Sequence, residues 1–353
     1  MIIYILIFLL FAFFSLIKEE LIIKNSLIFI LILFLCFSYE MGSDWKAYYN
    51  IYQRIDILKP EVYNYEKGFG IYTYVCKNIL FNFWLYYIVT KILVAITFFK
   101  VIKYFLKKNN LFVIMLFYVQ LGIYLFIDCP FRNLIAIGIS NLALLKILER
   151  EKNRYFCLTI IGYLFHKTIF ITAVNYFIIK FFNRISKKYL YSLLFILLIF
   201  FQYDFILGII LEIGNLIPIV KERLLGHYLG TIRFQEIKIN IVYIEKLLLI
   251  VYAMKNKEKL EYHFKKKGLI ILYLSIVYFC LYHISRKIPI LFRFSLYYKI
   301  FPLILIGMLV KIVANKKAWI VKVCYILYSF FMLIMMLKNS FNFLLPYKFI
   351  INL

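Results

Sequence analysis

The sequence predicts an all-α protein built into a lipid bilayer, and three observations lead there. Of its 353 residues, 65% are hydrophobic and 21% aromatic, with a mean hydropathy of +0.88, whereas ordinary soluble domains are about 45–50% apolar. Long apolar runs recur along the whole chain, and the 17% of residues that are charged gather between them. At roughly 20 apolar residues per crossing, the chain accommodates about ten to twelve transmembrane helices and no separate aqueous domain. A soluble globular enzyme is excluded, and residues 1–353 are expected to form a single transmembrane domain.

The first run, MIIYILIFLLFAFFSLI, has no basic segment before it and no small-residue cleavage site after it, so it is expected to stay as the first membrane helix, 2–17. Punctuation by charged and polar residues then predicts spans at 21–39, 82–106, 111–127 and 131–148. A long run follows at 155–182, and then 189–211, 239–254, 268–284, 289–312 and 318–337. Residues 155–182 are too long for one upright span and carry basic residues at both ends. The stretch from Tyr155 to His166 rises only about 16 Å, half of a hydrocarbon core of about 30 Å. A broken or re-entrant helix meeting near His166 reconciles the two facts, provided that it lines a polar cavity.

Lysine and arginine total 43 against 17 acids, a net charge of +26. The excess lies in short loops and not on a basic stripe, so it marks cytoplasmic ends and not a nucleic-acid surface. Lys103, Lys107 and Lys108, then Arg150, Lys152 and Arg154, then the run Lys255 to Lys267, set an alternating topology. The N-terminus, the loop 40–67, the turn at Asp128 to Phe131, the segment 212–238 and the turn at Ser285 to Pro289 fall outside. The loop 40–67 carries Glu40, Asp44, Asp56, Glu61 and Glu66, five of the 17 acids. The external segment 212–238 suits an acceptor or partner surface, or a helix lying on the membrane. Cys36, Cys76, Cys129, Cys157, Cys280 and Cys324 stand singly, with neither disulfide ladder nor zinc spacing.

Ionisable groups within apolar segments are expensive and therefore candidate functional residues. Arg132, in CPFRNLIAIGIS, offers an always-charged fork suited to phosphate oxygens, or else snorkels to head groups. His166, followed by Lys167, places an imidazole and an ammonium at membrane depth, with no second ligand at metal-binding spacing. In HISRKIPILFRFSLYY, Arg286 and Lys287 suit interfacial anchors, while Arg293 falls inside the next span with Tyr297 at i+4 on its face. The outer loop is dense in aromatics, with Trp45, Tyr48, Tyr49, Tyr52, Tyr63 and Tyr65 in it and Tyr72 just beyond, suited to the interface or to stacking on sugar rings. Asp44 and Glu66 are candidate bases. Asp44, Glu66, Arg132 and Arg293 all fall on the outer face of this topology, and His166 can point toward it.

Four blocks resemble the EpsG-like branch of the Wzy-type O-antigen and exopolysaccharide polymerases. They are Gly42-Ser43-Asp44-Trp45 with Tyr48 and Tyr49; Tyr65-Glu66-Lys67-Gly68-Phe69; Arg132-Asn133 with Ala136; and Phe165-His166-Lys167-Thr168. Their order resembles the family over about residues 1–180, and the stretch Arg293 to Tyr298 and the closing Leu345-Pro346-Tyr347 are weaker matches. Where many relatives carry an arginine before the first block, this chain has Ser38-Tyr39-Glu40, so any role of that arginine passes to Arg54, Arg286 or Lys287.

The resemblance implies a GT-C-like glycosyltransferase of the bacterial inner membrane, its active site facing the periplasm. It would join oligosaccharide repeat units on undecaprenyl diphosphate, with a chain-length regulator as a partner. Arg132 and Arg293 would stabilise the leaving diphosphate, and Asp44, Glu66 or His166 would take the acceptor hydroxyl's proton. Trp45, Tyr48, Tyr49, Lys167, Arg286 and Tyr297 would contact the substrates, and no metal or other cofactor is implied. Two other readings share the cationic cavity: a lipid-linked glycan flippase, which needs access to both leaflets, and an O-antigen ligase, which differs in acceptor.

Overall fold

A computed structural model describes residues 1–17, 20–55, 66–106, 110–181, 186, 188, 189, 191, 192, 240–287, 291–313 and 315–350. These residues are helical with no strand among them, apart from one isolated bridge between Ser38 and Phe349. The expectations for Asp56, Glu61, Tyr63 and Tyr65, for most of the span 189–211 and for the segment 212–238 lie outside the described residues. Two compact units divide the chain: Met1–Tyr176 with Ile306–Leu353, and Phe177–Leu305.

In the first unit, α1 (Ile2–Leu16) and α2 (Leu21–Cys36) match the first two expected spans. The loop that follows is not plain coil: α3 (Trp45–Arg54) and α4 (Lys67–Leu80) form in and just beyond it. Phe81, in the left-handed region at φ 53, ends α4, and the Asn82 side chain accepts from the Trp84 and Leu85 amides to start α5 (Phe83–Phe105). Next, α6 (Asn110–Phe117) continues as a π-helical segment, Tyr118–Asp128, that ends at Cys129, also left-handed at φ 45. Pro130 then opens α7 (Phe131–Leu148), which is largely buried and packs along α5 and α8 (Lys152–Phe165). A buried bond from Asn141 Nδ2 to Thr97 Oγ1, 3.2 Å, ties α7 to α5 inside this apolar packing.

The long run at 155–182 is broken where the sequence places the break. His166 is extended (φ −159) and takes the last helical bond of α8, from its amide to the Gly162 carbonyl at 2.9 Å. A 3-10 turn, Lys167–Ala173, and α9 (Val174–Phe181) follow. Backbone groups freed by the break are taken up by side chains: the Tyr155 hydroxyl donates to the Thr172 carbonyl at 2.5 Å, and Thr172 Oγ1 to that of Ile169 at 2.7 Å.

Beyond residue 240 come α10 (Ile241–Lys255), α11 (Lys257–Phe264), α12 (Lys266–Lys287), α13 (Phe292–Ser295), α14 (Ile300–Ile312), α15 (Asn315–Asn339) and α16 (Phe341–Leu344). The described residues include five helices long and apolar enough to cross a membrane and three shorter apolar ones. The chain is an all-α polytopic membrane protein.

The expected span 289–312 is not one helix. Between α13 and α14 the amides of Tyr298, Lys299 and Phe301 bond three residues back, to Ser295, Leu296 and Tyr298. Three residues per turn carry i+4 about 120° around the axis, against about 40° in an α-helix. Arg293 is accordingly exposed while Tyr297 is buried, and the shared face expected for them is not formed.

Candidate functional site

Glu66 sits at the N-terminus of α4, Arg132 in the first turn of α7, and His166 at the break after α8. The Glu66 carboxylate joins the other two. Its Oε2 accepts from Arg132 Nη1 in a short ion pair, and its Oε1 stands 3.0 Å from His166 Nδ1. The approach depends on Gly68. A Cβ there would lie 2.7 Å from the Leu164 Cβ and 2.9 Å from its carbonyl oxygen, so only glycine lets the start of α4 touch the end of α8.

Tyr48 completes the group from α3. Its ring lies 5.5 Å from that of Phe131 and 6.0 Å from that of Phe69, and its hydroxyl meets the Arg132 guanidinium. The guanidinium carbon in turn lies 6.0 Å from the centre of the Phe69 ring. The strap that leads into α3 turns at Gly42, φ +86, where a Cβ would meet the Ile127 oxygen at 2.5 Å. The Ser43 amide then donates to the Asp128 carboxylate at 2.8 Å, pinning the first block to the end of the π-helical segment.

Burial raises the Glu66 carboxyl, but the His166 hydrogen bond and the Arg132 charge outweigh it and hold the group down at about 2. Glu66 is therefore a carboxylate at any ordinary pH. Burial pushes the Tyr48 phenol up, and Arg132 opposes that rise. The side chains of Glu66 and His166 are 13% and 11% exposed and that of Arg132 is 31%, so the guanidinium is the member most open to a ligand. Nε2 of His166 is buried and has no hydrogen-bond partner among the described residues.

Of the residues singled out from the sequence, Glu66, Arg132, His166 and Tyr48 come together, one from each of the four blocks. Asp44 is exposed at the start of α3, where the Ser43 hydroxyl bonds it at 3.4 Å. Trp45 and Tyr49 pack on the start of α5, Trp45 on Trp84 at 5.8 Å and Tyr49 on Phe83 at 5.2 Å. Lys167 is exposed. Arg286, Arg293 and Tyr297 belong to the second unit.

One group escaped the sequence reading. Lys91 in α5 is fully buried, donates to Ser38 Oγ at 3.0 Å and lies 4.0 Å from the Tyr87 ring centre. Its signal, an ionisable residue inside an apolar span, is the one that picked out His166.

No curated protein and no solved structure matches this chain significantly. A family model does, the EpsG family, over residues 21–349, which takes in Glu66, Arg132, His166 and Tyr48. A polytopic helical chain matched over that length belongs to the EpsG family, a Wzy-like exopolysaccharide polymerase family, and carries its membrane polysaccharide polymerase-like function.

Proposed function

We propose that the protein is a glycosyltransferase that polymerises undecaprenyl-diphosphate-linked oligosaccharide repeat units at the periplasmic face of a bacterial inner membrane. The observation that carries the reading is the Glu66 carboxylate, which holds Arg132 and His166 at once. In this reaction the acceptor hydroxyl oxygen attacks the anomeric carbon of the donor sugar, and the bond from that carbon to the lipid diphosphate breaks. Negative charge grows on the leaving diphosphate, and a preorganised cation at that point lowers the barrier more than any other group the protein can supply. Arg132 suits that role: it is the most open of the three side chains, and it stands at a helix N-terminus, where the dipole adds to its field.

Glu66, held at about 2, is too weak a base to take a hydroxyl proton near neutral pH. Its work is orientation. With Glu66 ionised, the imidazole donates from Nδ1 to Oε1 and presents Nε2 with a lone pair. We assign the acceptor proton to Nε2 of His166.

The test is a gel of surface glycan from a host lacking the gene, complemented with wild type, Arg132→Ala or His166→Ala, with protein levels checked by blot. The expected result is a ladder restored by wild type alone, with single-repeat-capped lipid in both variants. Loss of all surface repeat with intermediates trapped inside the deletion strain would overturn the polymerase reading and favour a flippase.

A further inference from the structure

Lys91 lies two turns into α5, about 12 Å from Phe83 along the helix axis. Side chains of a helix lean toward its N-terminus, and Lys91 follows that rule. Its ammonium lies 4.0 Å from the centre of the Tyr87 ring, one turn back, and donates to Ser38 Oγ at 3.0 Å. A lysine in an apolar span usually carries its ammonium on to water, whereas Lys91 is fully buried. Among the described residues no carboxylate pairs with it. An unbranched apolar side chain would fill the same place without burying a charge. What the ammonium adds is therefore its two contacts, and both lead toward Arg132.

Ser38 begins the strap. It bridges Phe349, and the chain runs from it through Gly42 and Ser43 into α3, where Tyr48 packs on Phe131 at 5.5 Å. Tyr87 leads to the same place by a shorter route: its ring lies 4.6 Å from that of Phe131, the residue that opens α7 directly before Arg132. One ammonium thus ties together the two sides between which Phe131 is seated. We propose that Lys91 is a positioning residue for Arg132, holding the strap against α5 so that Tyr48 and Phe131 set the place of the guanidinium. The proposal rests on the polymerase reading only for its elongation readout. The state of the strap is measured without any activity, so the two can fail separately.

The experiment uses the full chain in nanodiscs, with amide hydrogen exchange read over residues 37–48 and over α7 and the thermal unfolding midpoint read on the same samples. The glycan ladder is read in cells at matched protein level. Lys91→Met is expected to speed exchange of the hydrogen-bonded Tyr39, Gly42 and Ser43 amides about tenfold and to lower elongation about tenfold. Its midpoint should not drop, because the buried charge leaves together with its bond. Ser38→Ala cuts the same bond from the other side and strands the ammonium, so it should loosen the strap likewise but with a lower midpoint. In the double variant the midpoint should return toward that of Lys91→Met, since the stranded group is gone. Unchanged strap exchange in both single variants overturns the proposal. So does a Lys91→Met protein whose midpoint falls and whose exchange rises evenly along α7, which is the behaviour of a packing residue alone. Faster strap exchange with a full ladder overturns it too. Faster strap exchange in a protein whose wild type makes no ladder supports the clamp and counts against the polymerase reading instead.

Discussion

Glu66 Oε1 lies 3.0 Å from His166 Nδ1, although the two residues are 100 positions apart. Its other oxygen holds Arg132, 66 positions away. One carboxylate thus sets the position of a cation and the tautomer of an imidazole. Glu66→Gln keeps the shape of the side chain and removes its charge, so both partners lose their orientation. The expected loss in chain elongation, read from the ladder at matched protein level, is about 100-fold or more. Glu66→Gln combined with His166→Ala should lose little beyond the larger single effect, because residues in one network are not additive. A product of the two separate losses would show that they act independently.

The depressed Glu66 carboxyl also makes a prediction for stability. A group lowered in the folded state stabilises fully above its unfolded value, roughly 4.3, and loses that contribution as pH falls toward the folded value of about 2. The difference in unfolding midpoint between wild type and Glu66→Gln should therefore shrink as pH falls below about 5. A difference that stays unchanged as pH falls from about 5 to about 2 would mean that the carboxylate is not held as described.

Gly68 is the contact point through which α4 reaches α8. Gly68→Ala puts a methyl group into the Leu164 Cβ and backbone oxygen, at 2.7 and 2.9 Å, and backbone cannot step aside as a flexible side chain does. Overpacking of this kind costs about 1–3 kcal/mol, and here it also draws Glu66 away from His166. Loss of elongation should exceed what the drop in protein level explains. If Gly68→Ala elongates chains like wild type, the close approach is not needed.

Much of this architecture could be seen in the sequence because membrane spans are long and apolar. The expected 82–106 is observed as Phe83–Phe105 and the expected 131–148 as Phe131–Leu148, and the break at His166 followed from a run too long for one crossing. What stayed hidden was short or distant. The ten residues of α3 carry lysine, glutamine, arginine and aromatics, so they look like a polar loop, and their helix is held by Tyr48 and Tyr52 packing inward. Arg293 and Tyr297 part company because the bonds between α13 and α14 span three residues, a change of pitch that composition does not encode. Each block of the site was visible alone; that Glu66 pairs with both Arg132 and His166 is a property of the packing of α4 against α8.

The closing residues of the chain hold the strap that carries the first block. The Tyr39 amide donates to the Lys348 carbonyl at 3.0 Å, that of Ile350 to Phe37 at 3.2 Å, and that of Gly42 to Phe343 at 3.1 Å. Tyr347 stacks on Phe34 with ring centres 4.5 Å apart, and its hydroxyl donates to the Phe34 carbonyl. Tyr4 adds a bond from its hydroxyl to the Leu344 carbonyl at 2.8 Å. From this strap the chain runs through Gly42 and Ser43 into α3 and hence to Tyr48 beside Arg132. Removing residues 345–353 takes away the Tyr39, Ile350 and Tyr347 bonds at once while leaving every apolar span intact. Tyr347→Ala removes the stack and one bond, worth about 1–3 kcal/mol together. The truncated chain should still insert and accumulate, yet give a shortened or absent ladder, and Tyr347→Ala should fall between it and wild type. Full ladders from the truncated chain would show that α3 keeps its place without this brace.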